Sequence, residues 1–170
     1  MEIEKKVDVA KYMISRFDTY YNGINSKGSF YLTLSTFIIG SAASGYALLH
    51  DKLALTGMHI GLLVSLVIIA FASICMTLIA VNPYLSSGNS SKYSSLLFFG
   101  SIATMKEREF CDEFDQSGID KFYIDYKNQA YQLAKGLNKK FTIMFWVGRL
   151  LMVQFLLISI IIISFLTNNY

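Results

Sequence analysis

Phe30–Leu49 reads FYLTLSTFIIGSAASGYALL, 20 residues without a charge. After a short connector, Ile60–Val81 reads IGLLVSLVIIAFASICMTLIAV, another 22. A helix crosses the hydrocarbon core of a bilayer in about 20 apolar residues, so each stretch is long enough to span. A third, Leu150–Leu166, has 17 residues with one amide, Gln154. It reaches spanning length if its helix starts at Phe141 and accommodates Arg149. The expected fold is an all-α integral membrane protein with three transmembrane helices, an amphipathic N-terminal helix and a small helical cytoplasmic segment.

At 170 residues, 54% hydrophobic and 16% charged, the chain is one small domain largely embedded in lipid. Four regions follow: an amphipathic arm (1–29), a transmembrane hairpin (30–81), a cytoplasmic segment and possible sensor (82–140), and a third span (141–166). The opening MEIEKKVDVAK is acidic and basic rather than apolar, unlike a signal peptide. Five basic residues lie in the arm, Lys52 alone in the connector, eight in 82–140, and none in the tail after Leu166. Positive charge stays inside, which predicts a cytoplasmic N-terminus and an external C-terminus. The net charge of +3 then marks a membrane-surface bias, not a nucleic-acid footprint.

Within the arm, Val7, Ala10, Ile14, Phe17, Tyr21 and Ile24 recur every three or four residues, one face of a helix. The mixed charge of the other face favours packing against cytoplasmic helices over lying on lipid. In the first span, Gly40, Ser41, Ser44 and Gly45 form two interleaved small-xxx-small pairs, which let helix backbones approach closely in lipid. They serve either contact with the second span at Ser65, Ala72 and Ser73, or a subunit contact or pore wall. Thr104–Glu107 and Ser117–Asp120 have the spacing of capping boxes, predicting two helix starts. From Ile119 an apolar stripe through Tyr126, Ala130, Leu133, Leu137 and Phe141 enters the third span without a turn signal, so one helix over 119–166 is expected.

Chemistry-bearing constellations are few. His50 and His59 flank the connector without metal-ligand spacing, and there is no phosphate-cradling glycine loop or nucleophile elbow. No catalytic residue, metal or cofactor is expected, and an enzyme is disfavoured. Cys75 and Cys111 lie at different levels and are expected as free thiols. Arg149 is the one charge at membrane depth, either snorkelling to headgroups or facing a pore or subunit interface. Gln154, five positions on and about 140° round the helix, belongs to another face.

Arg16-Phe17-Asp18 and Asn25-x-Lys27 precede the first span, and Pro83 closes the second. SLLFFGSIA (Ser95–Ala103), Glu109-Phe110, Gln129-x-x-x-Leu133-Ala134 and Lys140-Phe141 follow in order. This layout resembles the Pycsar transmembrane effectors of bacterial anti-phage defence over nearly the whole chain. The resemblance implies an inner-membrane protein that binds a cyclic nucleotide, expected to be a cyclic pyrimidine mononucleotide made by a partner cyclase. It would then oligomerise or rearrange and impair the membrane, aborting infection. No cyclic-nucleotide-binding β-barrel is recognisable, so a ligand site must come from the arm, segment 82–140 or subunit interfaces. Arg16, Lys27, Lys92, Lys106 and Arg108 are available phosphate partners, and Tyr93, Phe98, Phe99 and Tyr123 available stacking surfaces. The implied partners are lipid, a second copy of the chain and the cyclase product, with no nucleic acid. A structural or accessory membrane subunit and a small constitutive channel are the alternatives.

Overall fold

The computed structural model describes residues 2–49, 57–82 and 95–168, and among these every regular element is helical. Helix α1 is Ile3–Leu49, α2 Gly57–Val81, α3 Phe99–Ile102, α4 Glu107–Gln116 and α5 Ile119–Asn168. Arm and first apolar stretch, read from the sequence as separate regions, form one 47-residue helix. The chain divides into two units, one of residues 1–22 with 83–139 and the other of 23–82 with 140–170.

In the first unit, Val7 and Ala10 of α1 and Ala130 and Leu137 of α5 are buried. The Tyr21 hydroxyl donates to the Leu133 carbonyl oxygen at 3.1 Å. Helix α4 is tied to α5 by the Glu113–Lys121 ion pair and by ring contacts running Phe110–Phe114–Phe122. Neither expected capping box forms. Helix α4 begins at Glu107 with Lys106 as its N-cap, and the Thr104 hydroxyl turns back to the Ser101 carbonyl. Ser117 is the C-cap of α4, its hydroxyl donating to the Glu113 carbonyl, and α5 starts at Ile119. Ser and Thr hydroxyls readily satisfy preceding carbonyls, and here that local bond wins over the cap.

In the second unit, α1 and α2 run antiparallel. Gly28 meets Thr77 and Val81, whereas Ile38 packs with Leu66 and Ala70. Helix α5 joins through Ile161 at that same level, and Gly148 lies beside Tyr31. The unit is inverted relative to a water-soluble bundle. Its surface exposes Phe37, Leu48, Ile68, Phe71, Met152 and Leu156, while His59, Ser35, Ser73, Thr77 and Gln154 are buried. Buried polar residues under an apolar exterior are the arrangement that hydrocarbon surroundings favour. Among the described residues, two helices, Gly57–Val81 and Ile119–Thr167, are long and apolar enough to cross a membrane. The first apolar stretch, diluted by Ser, Thr and Gly, is not among them.

Gly28 permits the approach of α1 to the end of α2: a Cβ placed there would lie 2.5 Å from a Val81 methyl. Overpacking of this kind costs about 1–3 kcal/mol. Gly28→Ala should therefore lower the thermal midpoint of the detergent-solubilised protein, and Val81→Ala, by removing the struck methyl, should restore it.

Candidate functional site

Two places hold polar groups in arrangements that packing alone does not require. The first lies in the unit of 1–22 and 83–139, where the Ser95–Ala103 block is pinned from both sides. Asp125 of α5 is 1% exposed, and its Oδ2 accepts the Leu96 backbone N–H at 2.8 Å. Ser95 Oγ accepts the N–H groups of Leu97 (3.3 Å) and Phe98 (3.0 Å), and the Phe98 carbonyl accepts those of Ser101 (2.9 Å) and Ile102 (3.1 Å) in α3. Asp125 Oδ1 is buried with no hydrogen-bond partner. A buried acceptor left unsatisfied costs about 1–3 kcal/mol, and more when charged.

Lysines of α1 and α5 stand over tyrosines of α5. Lys6 Nζ lies 5.8 Å and Lys127 Nζ 5.7 Å from the centre of the Tyr123 ring, and Lys11 Nζ lies 5.5 Å from that of Tyr126. Tyr123 and Tyr126 bracket Asp125 in sequence, so one turn of α5 carries two rings and a buried carboxylate. Lysine ammoniums beside π-faces suit an anionic ligand with a planar group.

The second place is the interior of the unit of 23–82 and 140–170. Gln154 is fully buried, its Nε2 donating to Ser73 Oγ at 2.8 Å, and its Oε1 has no partner. Ser35 Oγ is likewise buried and unpartnered. The Thr77 hydroxyl donates to the Ser73 carbonyl at 2.7 Å. His59 Nε2 is 3.0 Å from the Ser164 hydroxyl, and its ring stacks on Phe165 at 4.7 Å. At the other end of α2, the buried Lys140 Nζ donates to the carbonyls of Ala80, Val81 (3.2 Å) and Asn82 (2.8 Å). These are the carbonyls that a helix C-terminus leaves without intrahelical donors, and a cation there also complements the helix dipole.

The ligand candidates named from sequence are dispersed. Arg16 is exposed, its guanidinium donating to the Tyr20 hydroxyl at 2.8 Å and lying 5.9 Å from the Tyr12 and Tyr20 ring centres. That hydrogen bond is the main cause holding its pKa above the ordinary arginine value. Lys27, Lys106 and Arg108 are exposed, and Lys27 falls in the other unit. Phe98 and Phe99 stand 5.0 Å apart, with Phe99 exposed, while Lys92 and Tyr93 lie outside the described residues. Gly40, Ser41 and Ser44 are exposed and Gly45 half-buried, and nothing lies within 4 Å of a Cβ built at Gly40 or Gly45. Arg149 is exposed beside the Phe145 ring (4.4 Å) and the Trp146 ring (5.2 Å), on a different face from Gln154. Asp125 and Lys140 were missed. Their signal was present, since each is a charge on the otherwise apolar stripe of α5.

A family model, the Pycsar effector protein domain, matches residues 9–167. The chain belongs to the Pycsar effector family. No curated protein and no solved structure matches the chain. The family makes this a candidate anti-phage defence effector, and the two apolar helices support a membrane protein.

Removing the Asp125 carboxylate tests the pinned block. Asp125→Ala frees the Leu96 amide, so hydrogen exchange at Leu96 should accelerate by about tenfold, the equivalent of one lost charge-assisted hydrogen bond. Asp125→Asn, which keeps one acceptor, should fall between the two.

Proposed function

We propose that this protein is a ligand-gated membrane effector of anti-phage defence. A cyclic pyrimidine mononucleotide, supplied by a partner cyclase, binds the unit of 1–22 and 83–139 and triggers impairment of the inner membrane. The observation that carries this reading is that α5 bears both chemistries: the Tyr123–Asp125–Tyr126 turn at its start and the buried Gln154 further along, in one helix from Ile119 to Asn168. Lys6, Lys11 and Lys127 supply phosphate partners, and Tyr123 and Tyr126 supply stacking. A ligand that prefers one orientation of this half of α5 by about 100-fold shifts the equilibrium by about 2.7 kcal/mol, an ordinary coupling energy.

Three spans, with N-terminus inside and C-terminus outside, complete the proposal. The described first apolar stretch becomes a span by virtue of its length and lack of charge. The exposure of Gly40, Ser41 and Ser44 within one protomer favours the subunit-contact reading of those residues over contact with α2. Arg149, exposed beside Phe145 and Trp146, then stands where its stem can snorkel to the lipid headgroups.

Cells expressing the protein with an active pyrimidine cyclase should lose inner-membrane potential, read with a voltage-sensitive dye, and should keep it with an inactive cyclase. Wild-type protein that never depolarises cells under any cyclic nucleotide would favour a structural subunit, and depolarisation without one would favour a constitutive channel. Lys11→Glu with Lys127→Glu should weaken nucleotide binding by about tenfold or more, since each removes a charge-assisted contact. Inserting Gly-Gly after Leu137 should leave binding intact and abolish depolarisation. Alkaline phosphatase fused after Tyr170 should be active, and an inactive fusion would place the C-terminus inside.

A further inference from the structure

In the unit of 23–82 and 140–170, α1 carries small residues, Ser41, Ala42 and Gly45, where α2 and α5 come close to it. A Cβ built at Gly45 meets nothing within 4 Å. The space these residues leave is a cavity of about 360 Å³. Its floor is the buried Ile38, Leu66 and Ile161, one residue from each of the three helices. Its rim is Phe37, Tyr46 and Ile162, all of them exposed. The cavity is thus a notch in the side of the unit, open to its apolar exterior. Gly40 and Ser44 lie outside it.

We propose that this notch is a binding site for one hydrocarbon tail of a membrane phospholipid. The proposal rests on the membrane placement of this unit and is independent of the nucleotide reading. Polarity, size and position select that occupant. The lining side chains are apolar apart from the hydroxyls of Ser41 and Tyr46, whereas a water molecule needs two to four polar partners. An apolar cavity of about 150 Å³ takes the six carbons of benzene, so about 360 Å³ corresponds in proportion to about 14 carbons, the scale of an acyl tail. The lining runs from Phe37 to Tyr46, about 14 Å along the axis of α1, so a tail lies lengthwise against that helix. Tyr46 is one turn from Leu49, where the charge-free stretch ends, and an amphipathic ring suits the boundary between tail and headgroup. The headgroup end of the lipid therefore belongs at Tyr46 and the tail tip toward Phe37. A helix of a second copy, about 10–12 Å across with its side chains, would meet the Phe37 and Tyr46 rings before its backbone reached the floor.

Full-length protein in phosphatidylcholine vesicles, with a photoreactive diazirine on the tails of a fraction of the lipid and no nucleotide, tests the site. After irradiation, peptide mass spectrometry should find label on Leu66 and Ile161, which are 3% and 8% exposed and beyond the reach of lipid that merely surrounds the unit. Label on Phe71 and Leu156, each 61% exposed, reports that surrounding lipid. Gly45→Leu puts a side chain into the notch and should cut the Leu66 label about tenfold, the effect of an overpacking cost of 1–3 kcal/mol, while leaving the Phe71 label unchanged. Gly40→Leu, the same exchange outside the notch, should change neither. Protein that floats with the vesicles but is labelled only at exposed positions overturns the site, and this comparison needs no variant. So does Leu66 label that survives Gly45→Leu. A Gly45→Leu protein that loses a crosslinked dimer and keeps its Leu66 label puts a second copy in the notch and overturns it too. Protein that does not float overturns the membrane placement and the site together. Protein labelled as expected that ignores cyclic nucleotide leaves the site standing and removes the ligand reading instead.

Discussion

Hydrocarbon offers a polar group no partner, and that constraint organises the unit of 23–82 and 140–170. Its backbone answers with unbroken helices, and its polar side chains answer by turning inward. The Gln154–Ser73 bond is the clearest case, two buried side chains from distant parts of the sequence satisfying one another at 2.8 Å. The same logic seats Lys140 on the last carbonyls of α2. A lysine and a glutamine that would be surface residues in a water-soluble bundle are interior ones here, while Phe71 and Met152 face outward.

The unit of 1–22 and 83–139 obeys a different rule. Its polar side chains are spread over exposed positions, and its one buried carboxylate is used to hold irregular backbone. Asp125 takes the Leu96 amide as Ser95 takes two others, which lets the short apolar block leave regular structure without orphaned donors. The unpartnered second oxygen of Asp125 is a polar atom the fold has not spent.

Much of this was legible in the sequence because it depends on length and period. The apolar stretches, the arm's three-and-four spacing and the unbroken stripe from Ile119 all follow from local pattern, and the ordered motifs pointed to the family that matches residues 9–167. The Thr104 and Ser117 caps failed because a hydroxyl can bond forward to an amide or back to a carbonyl, and sequence does not choose between them. Asp125 and Lys140 were passed over for a related reason. A charge on an apolar stripe is meaningful only once its partners, 29 and about 60 residues away in the chain, are known. Ligand candidates picked for charge alone were dispersed, because lysines in such segments answer to membrane topology as much as to binding.

In the proposed mechanism a cyclic nucleotide acts on the unit of 1–22 and 83–139 and the membrane is impaired as a result. Purified wild-type protein in ion-loaded vesicles tests it directly, with a cyclic pyrimidine mononucleotide added first to one side of the bilayer and then to the other. The account predicts no leak without nucleotide and a saturable leak with nucleotide on the side that carries the N-terminus. A leak of equal rate with and without nucleotide, or none from either side, would contradict it.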